Sequence, residues 1–122
     1  TLSESDYKTI QRKGNTFYVP AILRRKVLFN LPALADQAEV SRVRINEKDY
    51  RFRVARVGAR SIFSYGGIKA GDIVQSVNGR PIRSEQDAMD LLSRLSNSEK
   101  VTIALERGKE RSSLQLTYII AD

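Results

Sequence analysis

The chain has 122 residues, of which 41% are hydrophobic, and 21 Lys and Arg residues outnumber 14 Asp and Glu residues to give a formal net charge of +7. This length and composition indicate one globular domain with an extension, and no apolar run is long enough to span a membrane. Cysteine and histidine are both absent, which excludes thiol nucleophiles, disulfides, the usual zinc ligands and the commonest general base.

The first third of the chain is predicted to lead into the main domain. Residues 1–16 are polar and mixed in charge, and we interpret them as a linker or connector whose end forms a short hairpin around Lys13-Gly14-Asn15. Residues 17–39 form a predicted helical lead-in, because Pro20 can open a helix without losing a hydrogen bond. Three apolar residues follow at helical spacing: Ile22, Leu23 and Val27. A second short helix is predicted over residues 31–34.

Two alternating segments are predicted to form a β-hairpin. Residues 40–45 and residues 50–54 alternate between apolar and polar side chains, and the four polar residues 46–49 between them form a turn. Because alternate side chains of a strand point to opposite faces, the arginines of both strands are expected to share the outward face. These arginines are Arg42, Arg44, Arg51 and Arg53.

The remaining segments predict further strands and one long helix. Ser61 can cap a helical turn that Gly66-Gly67 ends, and Asn78-Gly79 is a strong hairpin turn signal. Ser84 and Asp87 form a variant of the capping box at the start of a helix. In chain order, the predicted elements are a strand at 72–77, a short return strand at 80–82, a helix from 84 to about 95, and a closing hairpin over 101–118.

Together these elements predict an α+β architecture. Strands predominate, and the single substantial helix comes late in the order, which is typical of a small, partly open β-barrel capped by helices. We assign residues 40–122 to this domain and expect the helical lead-in to precede it.

The most specific stretch of the sequence runs from Gly67 to Gly79. It joins a helix stop, a glycine before Asp72, an apolar strand and an Asn-Gly turn. This segment resembles the Gly-φ-x-x-Gly-Asp-φ-φ-x-x-φ-Asn-Gly pattern of PDZ domains, where φ is an apolar residue. The helix and hairpin that follow have the order of the bacterial, permuted PDZ type. The resemblance covers residues from about 40 to 120.

Residues before the PDZ-like region narrow the resemblance. Phe17-Tyr18-Val19-Pro20 leads into a helix, and Asn30-Leu31-Pro32-Ala33-Leu34 precedes Gln37-Ala38-Glu39-Val40. This series is similar to general secretion pathway protein C, the inner-membrane component of type II secretion systems. HtrA-type periplasmic serine proteases and site-two proteases carry similar PDZ domains, so they remain the alternative.

The resemblance implies a peptide-binding groove between one strand edge and one helix, where a partner adds as an extra strand. By the family pattern, Tyr50–Val54 is the edge strand and Tyr50 and Phe52 line the pocket. The facing helix would present Glu85, Met89 and Leu92. As an alternative, Phe52, Val54 and Leu92 are simply core residues.

Arg51 occupies the position where the family usually has a glycine between the two apolar groove residues. A side chain there disfavours the convergence of N–H groups on a terminal carboxylate. We therefore expect loss of ordinary C-terminal carboxylate recognition. Three alternatives remain: Arg51 itself pairs with an acidic group, the groove binds internal segments, or the groove is closed.

Arginines form the second feature of the predicted surface. Besides Arg51 and Arg53, a basic face is expected to contain Arg42, Arg44, Arg56 and Arg60. A solvated basic surface is the more common reason for such a pattern, and docking of an acidic partner is the functional hypothesis. Nucleic acid is disfavoured because the sequence offers no basic helix with interleaved exposed aromatic residues.

Catalytic chemistry is not predicted. The glycine-rich stretch 66–71 lacks the Gly-Lys-Ser/Thr ending of a phosphate-binding loop, the carboxylates are scattered, and no metal cluster or cofactor site is apparent. The resemblance instead implies a non-catalytic interaction module in the periplasm. The expected partners are the secretin, inner-membrane platform proteins or secreted substrates. Since the chain begins at Thr1 rather than Met, we expect a fragment whose membrane anchor lies upstream.

Overall fold

A computed structural model describes residues 2–34, 36–84, 86–87, 90–91, 94 and 97–121. Eight strands are formed by these residues: β1 (Gln11–Lys13), β2 (Thr16–Pro20), β3 (Ala38–Arg44), β4 (Tyr50–Val57), β5 (Ile73–Val77), β6 (Arg80–Pro81), β7 (Lys100–Arg107) and β8 (Ser112–Ala121). Helix α1 (Glu4–Tyr7) precedes β1, and α2 (Ala21–Phe29), α3 (Leu31–Leu34) and α4 (Ile62–Tyr65) lie between strands.

The strands form one mixed sheet in the order β1-β2-β8-β7-β5-β4-β3, and β6 pairs with β5. All of these pairs are antiparallel except β2 with β8, which run parallel. The sheet path does not close on itself, because β1 and β3 lie at its two ends. A sheet of this kind with few helices agrees with the predicted α+β class.

The N-terminal residues are ordered in a way that the sequence did not predict. The interval 1–16, interpreted as a linker, contains α1 as well as β1, and Tyr7 is buried. The hydroxyl of Tyr65 donates to the Glu4 carboxylate at 2.7 Å, and Gln37 donates to the Tyr7 hydroxyl at 2.8 Å. One apolar ring in a polar stretch gives no periodic pattern, so its burial could not be read from the sequence. The division at residues 16/17 and 39/40 stays a prediction.

Most local predictions are confirmed. The structure contains α2, α3 and the hairpins β1–β2, β3–β4 and β7–β8, and Ser61 Oγ accepts from Ser64 N at the start of α4. Asn78 and Gly79 both have positive φ, 51° and 78°, as a two-residue hairpin turn requires.

The helix predicted from Ser84 is only partly within the described residues. Asp87 N donates to Ser84 Oγ at 3.1 Å, as the capping-box variant predicts, and residues 86–87, 90–91 and 94 are helical. Residues 85, 88–89, 92–93 and 95 of the predicted helix lie outside the described residues.

The main core cluster is centred on Phe17, Leu105 and Leu116, all fully buried. Phe17 comes from β2, and its ring stacks on Tyr118 of β8 with centroids 5.2 Å apart. The Phe17 ring also packs against the backbone of Gly67, where an added Cβ would lie 2.4 Å from the nearest ring atom. The N-terminal hairpin is therefore part of the same core as the C-terminal strands.

A buried ion pair joins the turn before β5 to β7. Asp72 is fully buried, and its carboxylate accepts from Arg107 Nε at 2.8 Å and Arg107 Nη2 at 2.7 Å. Lys69 N donates to the same carboxylate at 2.8 Å, and Arg107 Nη2 also donates to Gly67 O at 2.7 Å. The hydrogen bonds from Arg107 to Asp72 raise the pKa of the guanidinium. This fork geometry satisfies the buried carboxylate and fixes the turn.

The contact between Gly67 and Phe17 predicts a severe effect of Gly67→Ala. Positive φ at this position, 82°, costs a non-glycine residue about 1–2 kcal/mol, and the overlap with the ring adds roughly 1–3 kcal/mol. Urea unfolding should give a loss of about 3 kcal/mol. Gly79→Ala is the matched control, because its φ is 78° but nothing lies within 4 Å of the added Cβ. Equal losses for both variants would contradict the packing role of Gly67.

Asp72→Asn should destabilise the fold by about 3 kcal/mol, because it leaves the partly buried Arg107 without its countercharge. Denaturant unfolding of the single and double variants measures the coupling. Adding Arg107→Gln to Asp72→Asn should cost less than Arg107→Gln alone, since the partner is already lost. Strictly additive losses would show that the two side chains act independently.

Candidate functional site

The exposed edge of the sheet is β3, not β4. Over the described residues, β4 lies between β3 and β5, and β3 ends the sheet. The prediction that Tyr50–Val54 is the edge strand is therefore wrong. The reason is that the hairpin pairs β4 with β3, from Ala38 opposite Val57 to Arg44 opposite Tyr50, while β5 pairs with the other side of β4. The strand that precedes the turn is the one left with an open side.

The register also identifies which backbone groups point outward. Ile45 N donates to Asp49 O at 2.9 Å, so hydrogen-bonded pairs recur at every second position of the hairpin. Val54 uses its N–H and C=O toward the other side, bonding Asp72 O and Gly71 N. Its partner Val40 must then point its own N–H and C=O away from β4. By the same alternation, the outward-pointing residues of β3 are Val40, Arg42 and Arg44.

The predicted basic face is divided between the two faces of the sheet. Residues directly opposite in an antiparallel pair have side chains on the same face. Arg42 lies opposite Phe52 and Arg44 opposite Tyr50, whereas Arg51 lies opposite Val43. Arg42 and Arg44 therefore share the core-side face, and Arg51 and Arg53 lie on the other. The prediction of one shared face is wrong, because alternation within each strand does not reveal the register between strands.

Tyr50 holds the two core-side arginines together. The guanidinium carbon of Arg42 lies 5.9 Å from the ring centroid of Tyr50, and that of Arg44 lies 5.6 Å away. Arg44 Nη2 also donates to the Tyr50 hydroxyl at 3.3 Å. This hydrogen bond, together with the charges of Arg44 and Arg42, lowers the pKa of Tyr50. Cation–π contacts and the hydrogen bond thus concentrate positive charge beside the β3 edge.

The other predicted groove residues have different environments. Val54 is buried, at 7% exposure, and Phe52 is half-buried beside it on the core face, as the core alternative predicted. Arg51 donates to the carbonyl of Tyr50 at 3.0 Å from inside the hairpin. Arg51 lies on β4, between β3 and β5, and the expected loss of carboxylate recognition stays a prediction. Glu85, Met89 and Leu92 lie outside the described residues.

Arg56 and Arg60 are not part of the cluster around Tyr50. Arg56 pairs with Glu39 at 3.3 Å and donates to Asp36 O at 3.0 Å, beyond the bulge that shifts the hairpin register at Glu39 and Val40. Arg60 is exposed in the loop before α4. The six arginines of the basic face proposed from the sequence therefore lie in several separate places.

Sequence reasoning missed Val40 as a site residue. Val40 is 59% exposed on the core-side face of β3, next to the open edge. An apolar residue in an alternating strand is normally assigned to the core, so the pattern gave no signal of exposure. The charged residues of the same strand, Glu39, Arg42 and Arg44, were the only hint of an edge strand.

The described residues were also searched for metal-binding groups and for membrane-spanning helices. Within the described ranges, no group of three or more acidic, histidine or cysteine residues could hold a metal ion. No helix among the described residues is long and apolar enough to cross a membrane.

Comparison with known sequences points to one domain type. Residues 53–107 match the family model of the PDZ domain. Type II secretion system protein C of Aeromonas salmonicida is 24% identical over 100 residues, which are 82% of this chain and 34% of the relative. Protease Do-like 8, chloroplastic, of Arabidopsis thaliana is 33% identical over 52 residues, or 43% of this chain and 12% of that protein. The chain thus spans about a third of the length of the secretion proteins that it matches.

Solved structures agree on the fold. The PDZ domain of EpsC from Vibrio cholerae, residues 204–305, superposes with a TM-score of 0.58 at 16% identity and covers 81% of this chain and 92% of that one. The PDZ domain of pullulanase C protein from Klebsiella pneumoniae, solved in complex with fatty acid, gives 0.50 at 22% identity, with coverages of 75% and 91%. The predicted PDZ fold is confirmed, while its bacterial permuted order stays a prediction.

The arginine contacts of Tyr50 predict a measurable titration shift. NMR titration of the chain with labelled tyrosine rings should give a pKa for Tyr50 below the ordinary value, because Arg44 and Arg42 stabilise the phenolate. Arg44→Gln should raise that pKa, since it removes both the hydrogen bond and the charge. Arg53→Gln, a change of equal charge on the opposite face, should leave it almost unchanged. Equal shifts in both variants would contradict the assigned register.

Proposed function

We propose that this chain, which has a PDZ fold and is 24% identical over 100 residues to a type II secretion system protein C, is a non-catalytic protein-interaction module of a type II secretion machine. The observation that carries the proposal is the open edge of β3. Its outward N–H and C=O groups at Val40 and Arg44 can bond an added strand. Strand addition is the recognition mode that such an edge supports best.

The partners belong to the secretion machinery. The chain recruits secreted substrates or connects the inner-membrane platform with the secretin, and it does not bind nucleic acid. Residues 1–16 and 17–39 serve as a connector and lead-in to the module of residues 40–122. Homology supports a periplasmic position, with anchoring in the inner membrane supplied by a segment outside these residues.

A second function has support from one observation. The chain is 33% identical to protease Do-like 8 over 52 residues. This similarity favours, as the alternative, a regulatory PDZ domain of a periplasmic HtrA-type or site-two protease. The output would then be control of an enzyme rather than assembly of a secretion machine. Binding to the C-termini of unfolded proteins, without capture of the secretin or secreted proteins, would favour this alternative.

Val40→Pro tests strand addition directly. Proline removes the outward N–H of Val40 but no bond to β4, so the fold should tolerate it as edge strands do. Capture of the purified periplasmic region of the secretin or of secreted proteins should fall by at least about tenfold. The variant lacks one N–H donor for the added strand, and the proline ring clashes with that strand.

Val40→Thr is the matched control for this experiment. It keeps the β-branched shape and the N–H at an exposed position, so binding should remain close to that of the unmodified chain. Thermal unfolding of both variants verifies that the hairpin is intact. Undiminished capture by a folded Val40→Pro variant would rule out strand addition at β3.

A further inference from the structure

A concave pocket lies on the face of the sheet opposite Tyr50, apart from the β3 edge. Its volume is about 390 Å³. Arg53 of β4, Ile73 of β5 and Glu106 of β7 line it, and they lie directly opposite one another in successive strand pairs, which places them on one face. The turn between β7 and β8 adds two further cationic lining residues, Lys109 and Arg111.

The buried pair of Asp72 and Arg107 fixes the backbone around this pocket. Gly71 and Ile73 flank Asp72 in the chain, and Gly108 follows Arg107, so lining residues adjoin both members of the ion pair. Because Arg107 neutralises Asp72, the buried carboxylate adds no net charge to the pocket. The walls of the pocket are therefore set by the core of the fold.

The three cationic side chains of the pocket have no partner within the described part of the chain. The side chains of Arg53, Lys109 and Arg111 are exposed, and none of them makes a hydrogen bond or an ion pair there. Glu106, in contrast, accepts a hydrogen bond from Gln75 Nε2 at 2.6 Å. Three cations and one carboxylate give the lining a net charge of +2, and the cations keep their N–H groups for a ligand.

The backbone of Arg111 has a conformation that a side chain disfavours. Its φ is 51°, in the left-handed region, and its N–H donates to the carbonyl of Gly108 at 3.1 Å to close the turn. Glycine would fit this position with less strain, so the turn itself gives no reason for an arginine. Residues held in such conformations cluster at ligand sites, which agrees with a binding role for the Arg111 side chain.

We propose that this pocket binds the phosphomonoester group of a small molecule. Such a group has a charge of about −1.5 to −2 and three strong acceptor oxygens, which match the net charge of the lining and its three cations. A carboxylate has one charge and two oxygens, so it would leave one cation unpaired. The volume of about 390 Å³ lies within the range of small-molecule sites. The site goes beyond strand addition at β3, because none of its residues belongs to that strand.

Phenyl phosphate and phenyl sulfate test the charge of the ligand. The two probes have the same shape, but near pH 8 the phosphate ester is a dianion and the sulfate ester a monoanion. NMR titration at low salt should give a Kd at least about fivefold lower for phenyl phosphate, with shifts of the Lys109 and Arg111 amides. Equal affinities, or tighter binding of benzoate, would rule out a phosphomonoester as the ligand.

Charge-matched variants locate the site. Lys109→Gln with Arg111→Gln should raise the Kd of phenyl phosphate at least about tenfold, because two of the three charge-assisted contacts are lost. Arg25→Gln with Arg60→Gln removes the same charge from exposed positions outside the pocket and should leave the Kd within about twofold. Equal weakening by both pairs would overturn the proposal, since net charge alone would then account for binding.

Arg111→Gly separates binding from folding. Glycine relieves the positive φ, so thermal unfolding should occur at an equal or higher temperature while phenyl phosphate binds more weakly. Undiminished affinity of this variant would contradict the role of Arg111. Binding of the unmodified chain to vesicles that contain phosphatidic acid, without binding of phenyl phosphate, would overturn a small molecule as the ligand, because a membrane would then be the occupant.

Discussion

The buried pair of Asp72 and Arg107 is the interaction on which the other parts of the fold depend. Its carboxylate holds the turn at Lys69 and the strand β7 together, and its arginine also binds the carbonyl of Gly67. That turn then places Asp72 O and Gly71 N against Val54, which fixes one side of β4. With the outward groups of Val54 used there, the alternation of the hairpin directs those of β3 toward the open edge.

The same turn connects the N-terminal hairpin to the domain. Gly67 leaves room for the Phe17 ring, and Phe17 stacks on Tyr118 in the centre of the core. A side chain at Gly67 would displace that ring, so the positive φ and the missing Cβ are both required. Residues 17–20 are thus integral to the sheet.

The site is defined by register more than by composition. Six arginines lie in or near the β3–β4 hairpin, but pairing places only Arg42 and Arg44 beside Tyr50 on the face next to the open edge. Two of the others lie on the opposite face, and Arg56 is paired with Glu39. Positive charge is therefore concentrated at one point of the edge.

The sequence alone determined the local elements and the PDZ fold. Gly-Asp before the strand, Asn-Gly after it and the alternating segments are signals that act within a few residues, where turn geometry and side-chain period decide the outcome. Tertiary structure alone decided that Tyr7 is buried, that β3 rather than β4 is the edge, and that the arginines divide between two faces. These features depend on which strands pair and in which register, and a shift of one residue exchanges the faces without altering the pattern along either strand.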